Sequence, residues 1–293
     1  MKTGNKSVKA VFAPPPFHMV GDGFRVHNFF PSLESIGERG MSPWFLMDYN
    51  SKWNLDPSER QRGVGVHPHR GFETVTIAYH GKIAHHDSAG NGGVIGEGDV
   101  QWMTAGSGIL HKEYHEQDFS RKGGLFQMVQ LWVNLAAMHK MTSPKYQAIV
   151  NSDMKRYMLD DKQSFIEIIA GDYKGLQGPA FTFTPVNMFN ARLKAGTSAG
   201  FSFNRHFSTG MLVVEGAVNT GTVRVPENNF ILFANDGEDI TITAESDSVV
   251  LVLSGEPIDE PIASYGPFVM NTHEEIKQAY EDYYSGKFGF LED

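Results

Sequence analysis

Between about Phe24 and Val133 this chain runs as short apolar stretches separated by turns built on glycine and aspartate. No other feature restricts the fold as much. Glu73-Thr74-Val75-Thr76-Ile77-Ala78-Tyr79 and Leu125 to Val133 are rich in β-branched and aromatic residues, as strands are. Gly90-Asn91-Gly92-Gly93 and Gly96-Glu97-Gly98-Asp99 carry turn chemistry. Glycine supplies 31 of 293 residues and proline 14, a balance that speaks against a helical bundle. Many short strands with frequent turns imply an all-β sandwich or barrel.

Asn134 to Gln147, which holds Met138, His139 and Pro144, breaks the pattern and reads as a connector. The β pattern then resumes at Phe165–Ala170, Arg192–Ala195, Gly210–Glu215, Phe230–Ala234, Ile240–Ala244 and Val249–Leu253. A chain of 293 residues is comfortable as two domains, expected at residues 1–136 and 137–293. The halves also align in part. Gly81 over Gly216 gives an offset of 135, and Gly98–Ala105 over Glu227–Ala234 an offset of 129, which suggests internal duplication. Near the end, Thr272 and Glu275 form a capping box, with Ile276, Ala279, Tyr280 and Tyr283 on one helical face and Gly286 as the stop. A helix packed on a β core is expected there.

Composition excludes several function classes. With no cysteine there are no disulfides, thiolate nucleophiles, iron–sulfur clusters or Cys-ligated zinc. Lys and Arg total 25 against 34 Asp and Glu, net −9, which argues against direct nucleic-acid binding. Lys2, Lys6 and Lys9 resemble the start of a signal peptide, but Pro14-Pro15-Pro16 interrupts any apolar region. No stretch approaches the ~18–20 apolar residues of a membrane span. A soluble, cytoplasmic protein without a membrane partner is expected. There is also no Gly-x-Gly-x-x-Gly fingerprint and no phosphate loop.

Seven of the 12 histidines (His67, His69, His80, His85, His86, His111, His115) fall between positions 67 and 115. In a strand, residues two apart share a face, so His67 and His69 project together, as do His111, Glu113 and His115. Two such pairs on neighbouring strands of a cysteine-free β domain point to a metal site on nitrogen and oxygen donors. Glu73 is in phase with His67 and His69 if the strand continues unbroken, and parity alone leaves Glu73 and Glu113 both open. His80, His85, His86 and His139 read as exposed turn or linker residues, and His206 and His273 as structural or solvated.

These residues carry a resemblance. Gly65-Val66-His67-Pro68-His69-Arg70-Gly71-Phe72-Glu73-Thr74 resembles the first cupin motif. Gly98 through Glu113, with Gln101-Trp102-Met103-Thr104-Ala105-Gly106, is similar to the second motif in the form peculiar to the pirin family, as are Pro43 to Tyr49 and the tail from Gly266 to Gly289. The resemblance implies an all-β fold of two cupin barrels (double-stranded β-helix, or jelly-roll) face to face with a short C-terminal helix. It also implies one divalent metal in the N-terminal barrel on His67, His69, His111 and Glu113. Iron(II) comes first, with Mn, Ni, Co, Cu and Zn as alternatives. Glu73 becomes either a residue that supports the ligands from outside or a pocket residue. Apolar or small residues at the equivalent C-terminal positions, Ser202, Asn204, Ile240 and Ile242, imply a metal-free second barrel.

Some bacterial pirins resemble flavonol dioxygenases of the quercetinase type. The resemblance therefore implies a small aromatic substrate and dioxygen, a barrel mouth lined by Phe45, Phe72 and Trp132, and Glu73 or Glu113 as general base. The alternative it implies is an iron-dependent, redox-sensitive regulator of a transcription factor or metabolic enzyme, which a net charge of −9 would suit. The plainest alternative is a cupin that only binds or stores a metal.

Overall fold

The computed structural model describes residues 4–160 and 163–292. Two compact units emerge. The first comprises Pro16–Pro31, Trp44–Asn151 and the tail from Ile258; the second comprises the segment ending at Pro15, Ser32–Pro43 and Ser152–Pro257.

In the first unit a seven-stranded sheet runs in the order Lys145–Ile149, Val100–Thr104, Phe72–His80, Gly124–Asn134, Trp44–Leu55, Phe24–Phe30, His18–Val20. A four-stranded sheet runs Gly63–His69, Ile109–His115, Ile83–Asp87, Gly92–Ile95. In the second unit the large sheet runs Val8–Phe12, Phe230–Phe233, Ser208–Glu215, Ser248–Gly255, Val186–Leu193, Phe165–Ala170, Lys155–Met158. Its four-stranded partner runs Ser198–Ser202, Asp239–Ala244, Ala217–Asn219, Arg224–Pro226. The two units match strand for strand, and the duplication read from the sequence is present. An offset of 135 carries Phe72–His80 onto Ser208–Glu215, and one of 129 carries Val100–Thr104 onto Phe230–Phe233.

The units are not contiguous halves, so the boundary expected at 136/137 is corrected. Val8–Phe12 pairs with Phe230–Phe233 in the second unit, and Lys145–Ile149 pairs with Val100–Thr104 in the first. Each large sheet thus takes its edge strand from beyond its own half. Periodicity marks a strand but not its partner, because ladder pairing is non-local.

The tail helix, expected within the second domain, belongs to the first unit. It spans His273–Tyr284, and its capping box of Thr272 and Glu275 is formed. Ile276 and Ala279 pack with Leu110, Phe268, Met270 and Phe288. Buried Arg70 ties this tail to the barrel. Its Nε donates to Ser107 O at 2.7 Å, its guanidinium meets the Asp282 carboxylate at 2.9 Å, and it lies 4.7 Å from the Phe288 ring centroid. No helix among the described residues is long and apolar enough to cross a membrane.

Removing one partner of a buried ion pair strands the other. Lys287 and Gln278 would still hold Asp282, so Arg70→Met should cost about 3 kcal/mol, at the low end for such losses. Urea unfolding of the metal-free chain measures this, and a change below about 1 kcal/mol would place the tail's anchorage elsewhere.

Candidate metal centre

The centre is built on Ile109–His115, the strand flanked by Gly63–His69 and Ile83–Asp87. His111 lies opposite His67 on one side and Asp87 on the other, while Glu113 lies opposite Val64 and His85. The ladder is regular from Ile109–His69 to His111–His67 and shifts register between His111 and Glu113, so this bulge moves Glu113 to face Val64. Ring centroids are 4.2 Å apart for His67 and His111, 4.7 Å for His69 and His111, and 4.8 Å for His67 and His69.

The ring nitrogens are oriented. His67 Nδ1 donates to Gly65 O at 2.8 Å and His69 Nδ1 to Pro267 O at 3.2 Å, which leaves each Nε2 bare. His111 Nε2 is buried and has no hydrogen-bond partner among the described residues. Burial lowers the pKa of His67, and puts those of His69 and His111 well below the usual value for imidazole. Neutral rings with a bare nitrogen, held by an outer carbonyl, are what a divalent ion requires, so this donor set fits a metal.

Glu113 is buried among donors. Gln101 Nε2 and Thr76 Oγ1 donate to its Oε1 at 3.0 and 3.3 Å, and Gln130 Nε2 donates to Oε2 at 2.7 Å. Beside these residues lies a cavity of about 290 Å³, lined by the apolar Val20, Phe24 and Met128, by Trp132, and by Asp48 and Gln130 as well as His67, His69 and Glu113. Asn28 Nδ2 donates to Asp48 at 2.7 Å, yet burial still raises that carboxyl's pKa.

The structure separates residues that the sequence put together. Glu73 is off the centre: Gly71, at φ +88°, breaks the strand after His69, so the phase carried from His69 is lost. Phe72, Thr74 and Thr76 take the face toward the histidines, while Glu73 accepts from Thr104 Oγ1 at 2.7 Å on the other face. A Cβ at Gly71 would come within 2.0 Å of Val269 O, so the break is fixed by glycine. His115, also in phase, bonds Gly23 O through Nε2 at 2.8 Å and packs edge-on against Phe126. Of the three aromatics expected at the mouth, Trp132 lines the cavity; Phe72 stacks behind it at 4.2 Å and Phe45 at 6.3 Å.

Other residues were missed. His85, read as an exposed turn residue, is fully buried on Ile83–Asp87 and belongs to a second donor group with His111 and Glu113. The His85-x-Asp87 spacing was the available signal, hidden by glycines at positions 81 and 90. Gln101, Gln130, Thr76 and Asp48 carried no signal in one dimension. In the second unit Ser202 and Asn204 are exposed, and Phe201 and Phe203, one residue out of phase, point inward with Phe189, Ile240 and Ile242.

A barrel of this topology with three imidazoles and a carboxylate inside is of the cupin class and carries a donor set that could hold a metal. The first unit matches the pirin family over residues 23–133, and the second the pirin C-terminal cupin domain over residues 188–289. The chain belongs to the pirin family and is a protein of two cupin barrels. It is 46% identical over 283 residues to the Pseudomonas aeruginosa protein named "Putative quercetin 2,3-dioxygenase", covering 97% of this chain and 98% of that one. It is 34% identical to pirin-like protein 2 of Arabidopsis thaliana, over 97% and 85% of the two chains. A crystal structure of quercetin 2,3-dioxygenase from Acinetobacter baumannii superposes with a TM-score of 0.92 at 45% identity, covering 99% of this chain and all of that one. The Escherichia coli pirin YhhW, solved in complex with nickel(II), shares the fold at a TM-score of 0.63 and 17% identity, over 85% of this chain and all of that one.

Burial raises the Glu73 carboxyl to about 7 from the usual 4.5, which the bond from Thr104 offsets only in part. The folded chain therefore holds that proton more tightly than the unfolded chain. The stability it contributes is present below pH 4.5 and lost as pH rises through about 7. Glu73→Gln, which cannot ionise, should escape that loss. Its unfolding free energy relative to the parent should rise between those two pH values by on the order of 1–3 kcal/mol. Urea unfolding of both metal-free proteins at several pH values tests this, and a difference independent of pH would contradict it.

Proposed function

We propose that the chain is a mononuclear metal enzyme of the quercetin 2,3-dioxygenase type, with His67, His69, His111 and Glu113 as ligands. One observation carries the reading: the imidazoles of His67, His69 and His111, the last two buried, bring ring nitrogens within 4.8 Å of one another beside a cavity walled by Trp132. The names of the 46% identical relative and the 45% identical structure support an enzyme over a regulatory binding role. A divalent ion held there, with iron(II) proposed for its nitrogen and oxygen donors, supplies Lewis acidity toward a 3-hydroxy-4-ketone and a route to dioxygen.

The chain's own residues do the rest. Trp132, braced by Phe72 and Phe45, offers a flat apolar surface for an aromatic ring. Val20, Phe24 and Met128 give the cavity an apolar wall. Glu113, held by three donors, is a fixed acceptor and a poor mobile base. Asp48 is the better base: it faces the cavity, and burial raises its proton affinity. Glu73, on the other face of its strand, supports Thr104 and takes no proton from substrate. The overall change is flavonol plus dioxygen to a ring-cleaved ester plus carbon monoxide.

The ligand set predicts one metal per chain by elemental analysis. Glu113→Gln should lower metal affinity by more than the ~10–100-fold typical of an outer-sphere change, and Glu73→Gln by no more than that. A stoichiometry near two, or the reverse order of the two variants, would refute the assignment.

The activity is tested with quercetin under air, subtracting autoxidation measured with metal-free protein. The chain loaded with iron(II) or nickel(II) should bleach the flavonol and release carbon monoxide, and His69→Ala and His111→Ala should abolish both. Asp48→Asn should keep the metal and lose ~10²–10⁴-fold in rate, the usual share of a general base. Rates equal to background across several metals and flavonols would sink the oxygenase reading.

A further inference from the structure

One imidazole beyond the proposed ligands lies a second group of donors, in which atoms of His85, His111 and Glu113 all fall within 4.8 Å of one another. His85 is fully buried, and its ring stacks on Tyr146 at 5.0 Å. Its Nδ1 is 3.4 Å from His111 Nδ1 and 3.1 Å from Gln101 Nε2. Its Nε2 faces Asp87 Oδ2 at 3.5 Å. Such a group could hold a second ion, or it could be a hydrogen-bonded frame for the first.

Gln101 decides between these. Its amide nitrogen also donates to Glu113 Oε1 at 3.0 Å, so an N–H donor already fills the space between His85 and Glu113. Tautomers point the same way. If His111 Nε2 is bare for an ion, its proton is on Nδ1, which faces His85 Nδ1. That nitrogen must then be the acceptor, which puts the His85 proton on Nε2, toward Asp87. Asp87 is itself fixed, its Oδ1 accepting from the backbone N–H of Ala89 and of Asn91 at 2.9 Å each. The proton on His85 Nε2 then points at Asp87 Oδ2 from 3.5 Å, a charge–dipole approach and not a full hydrogen bond.

We infer that His85 is a positioning residue of the metal centre: oriented by Asp87, it accepts the Nδ1–H of His111 and so fixes the ring with Nε2 toward the ion. Gly65 O and Pro267 O do this for His67 and His69; for His111 the outer partner is a third imidazole. The inference rests on the ligand set proposed above. Through Gln101 the same frame steadies Glu113, so His85 reaches two of the four ligands without touching the ion.

The test is a cobalt(II) titration of the metal-stripped full chain, followed by its visible ligand-field bands, which report coordination geometry. His85→Phe keeps a ring against Tyr146 but cannot accept a hydrogen bond. His85→Asn sets an amide oxygen near the place of Nδ1. We expect His85→Phe to weaken cobalt binding ~10–100-fold and shift the bands, and His85→Asn to recover most of the affinity and the parent spectrum. Melting temperatures of the metal-free proteins separate packing loss from binding loss. Parental affinity and bands in His85→Phe would overturn the inference, as would equal impairment of both variants. So would two cobalt ions per parent chain with one lost in His85→Phe, which would make the group a second metal site. A parent that binds no cobalt would instead overturn the ligand set, and the inference with it. Should His85→Phe not fold, Asp87→Asn serves: it keeps the Oδ1 acceptor for the turn and removes Oδ2, the acceptor that faces His85 and also takes Asn91 Nδ2 at 3.0 Å. Weaker binding with shifted bands is then expected, and an unchanged titration overturns the inference.

Discussion

Burying His69, His111 and Glu113 in one barrel interior is the constraint on which the first unit depends. Imidazoles and a carboxylate taken out of water must be neutralised, hydrogen-bonded or bound to a cation. The barrel does the first two. Burial holds the rings neutral, and Gln101, Gln130 and Thr76 supply the carboxylate with donors. His111 Nε2 is left buried with no partner among the described residues, and so is His85 Nε2 beside it.

The second unit has the opposite solution on the same strand order. Phe189, Phe201, Phe203, Ile231, Ile240 and Ile242 line its interior with apolar side chains, which need no polar partners and gain stability from burial, and a pocket of about 450 Å³ opens beside Phe189, Phe201, Phe203 and Ile240. One topology thus carries a polar interior in one copy and an apolar one in the other. The polar copy needs more support from outside its barrel strands. Pro267 O orients His69, and Arg70 clamps the tail helix through Asp282. Lys140, buried to the point that its pKa falls to about 7, donates to Gly71 O, Val269 O and Asn134 Oδ1 at 2.7 to 2.9 Å. The tail from Ile258 is therefore part of the unit that holds the histidine cluster and helps set the orientation of one of its histidines.

Much of this was legible in one dimension, and the limits are physical. Strand character, turns and the capped helix are local properties, and most are found where the sequence put them. The stretch read as a connector up to Gln147, however, already contains the start of the strand Lys145–Ile149, and the strand read at Arg192–Ala195 lies at Val186–Leu193. The His67/His69 and His111/Glu113 pairs were legible because a strand repeats every two residues. The same rule failed for Glu73, because it holds only while the backbone stays extended, and Gly71 ends that. It failed for Ser202 and Asn204 because the offset was one residue out for the inward face.

The sequence by itself determined an all-β chain of two related barrels, one with clustered histidines, because periodicity and turn chemistry are written residue by residue. Only the tertiary structure decided which strands share a barrel, that the tail belongs with the first unit, and that His85, Asp48, Gln101 and Gln130 lie beside the histidine cluster and its cavity. Those are matters of which distant segments meet, and a strand's pattern says which face it buries without saying against what.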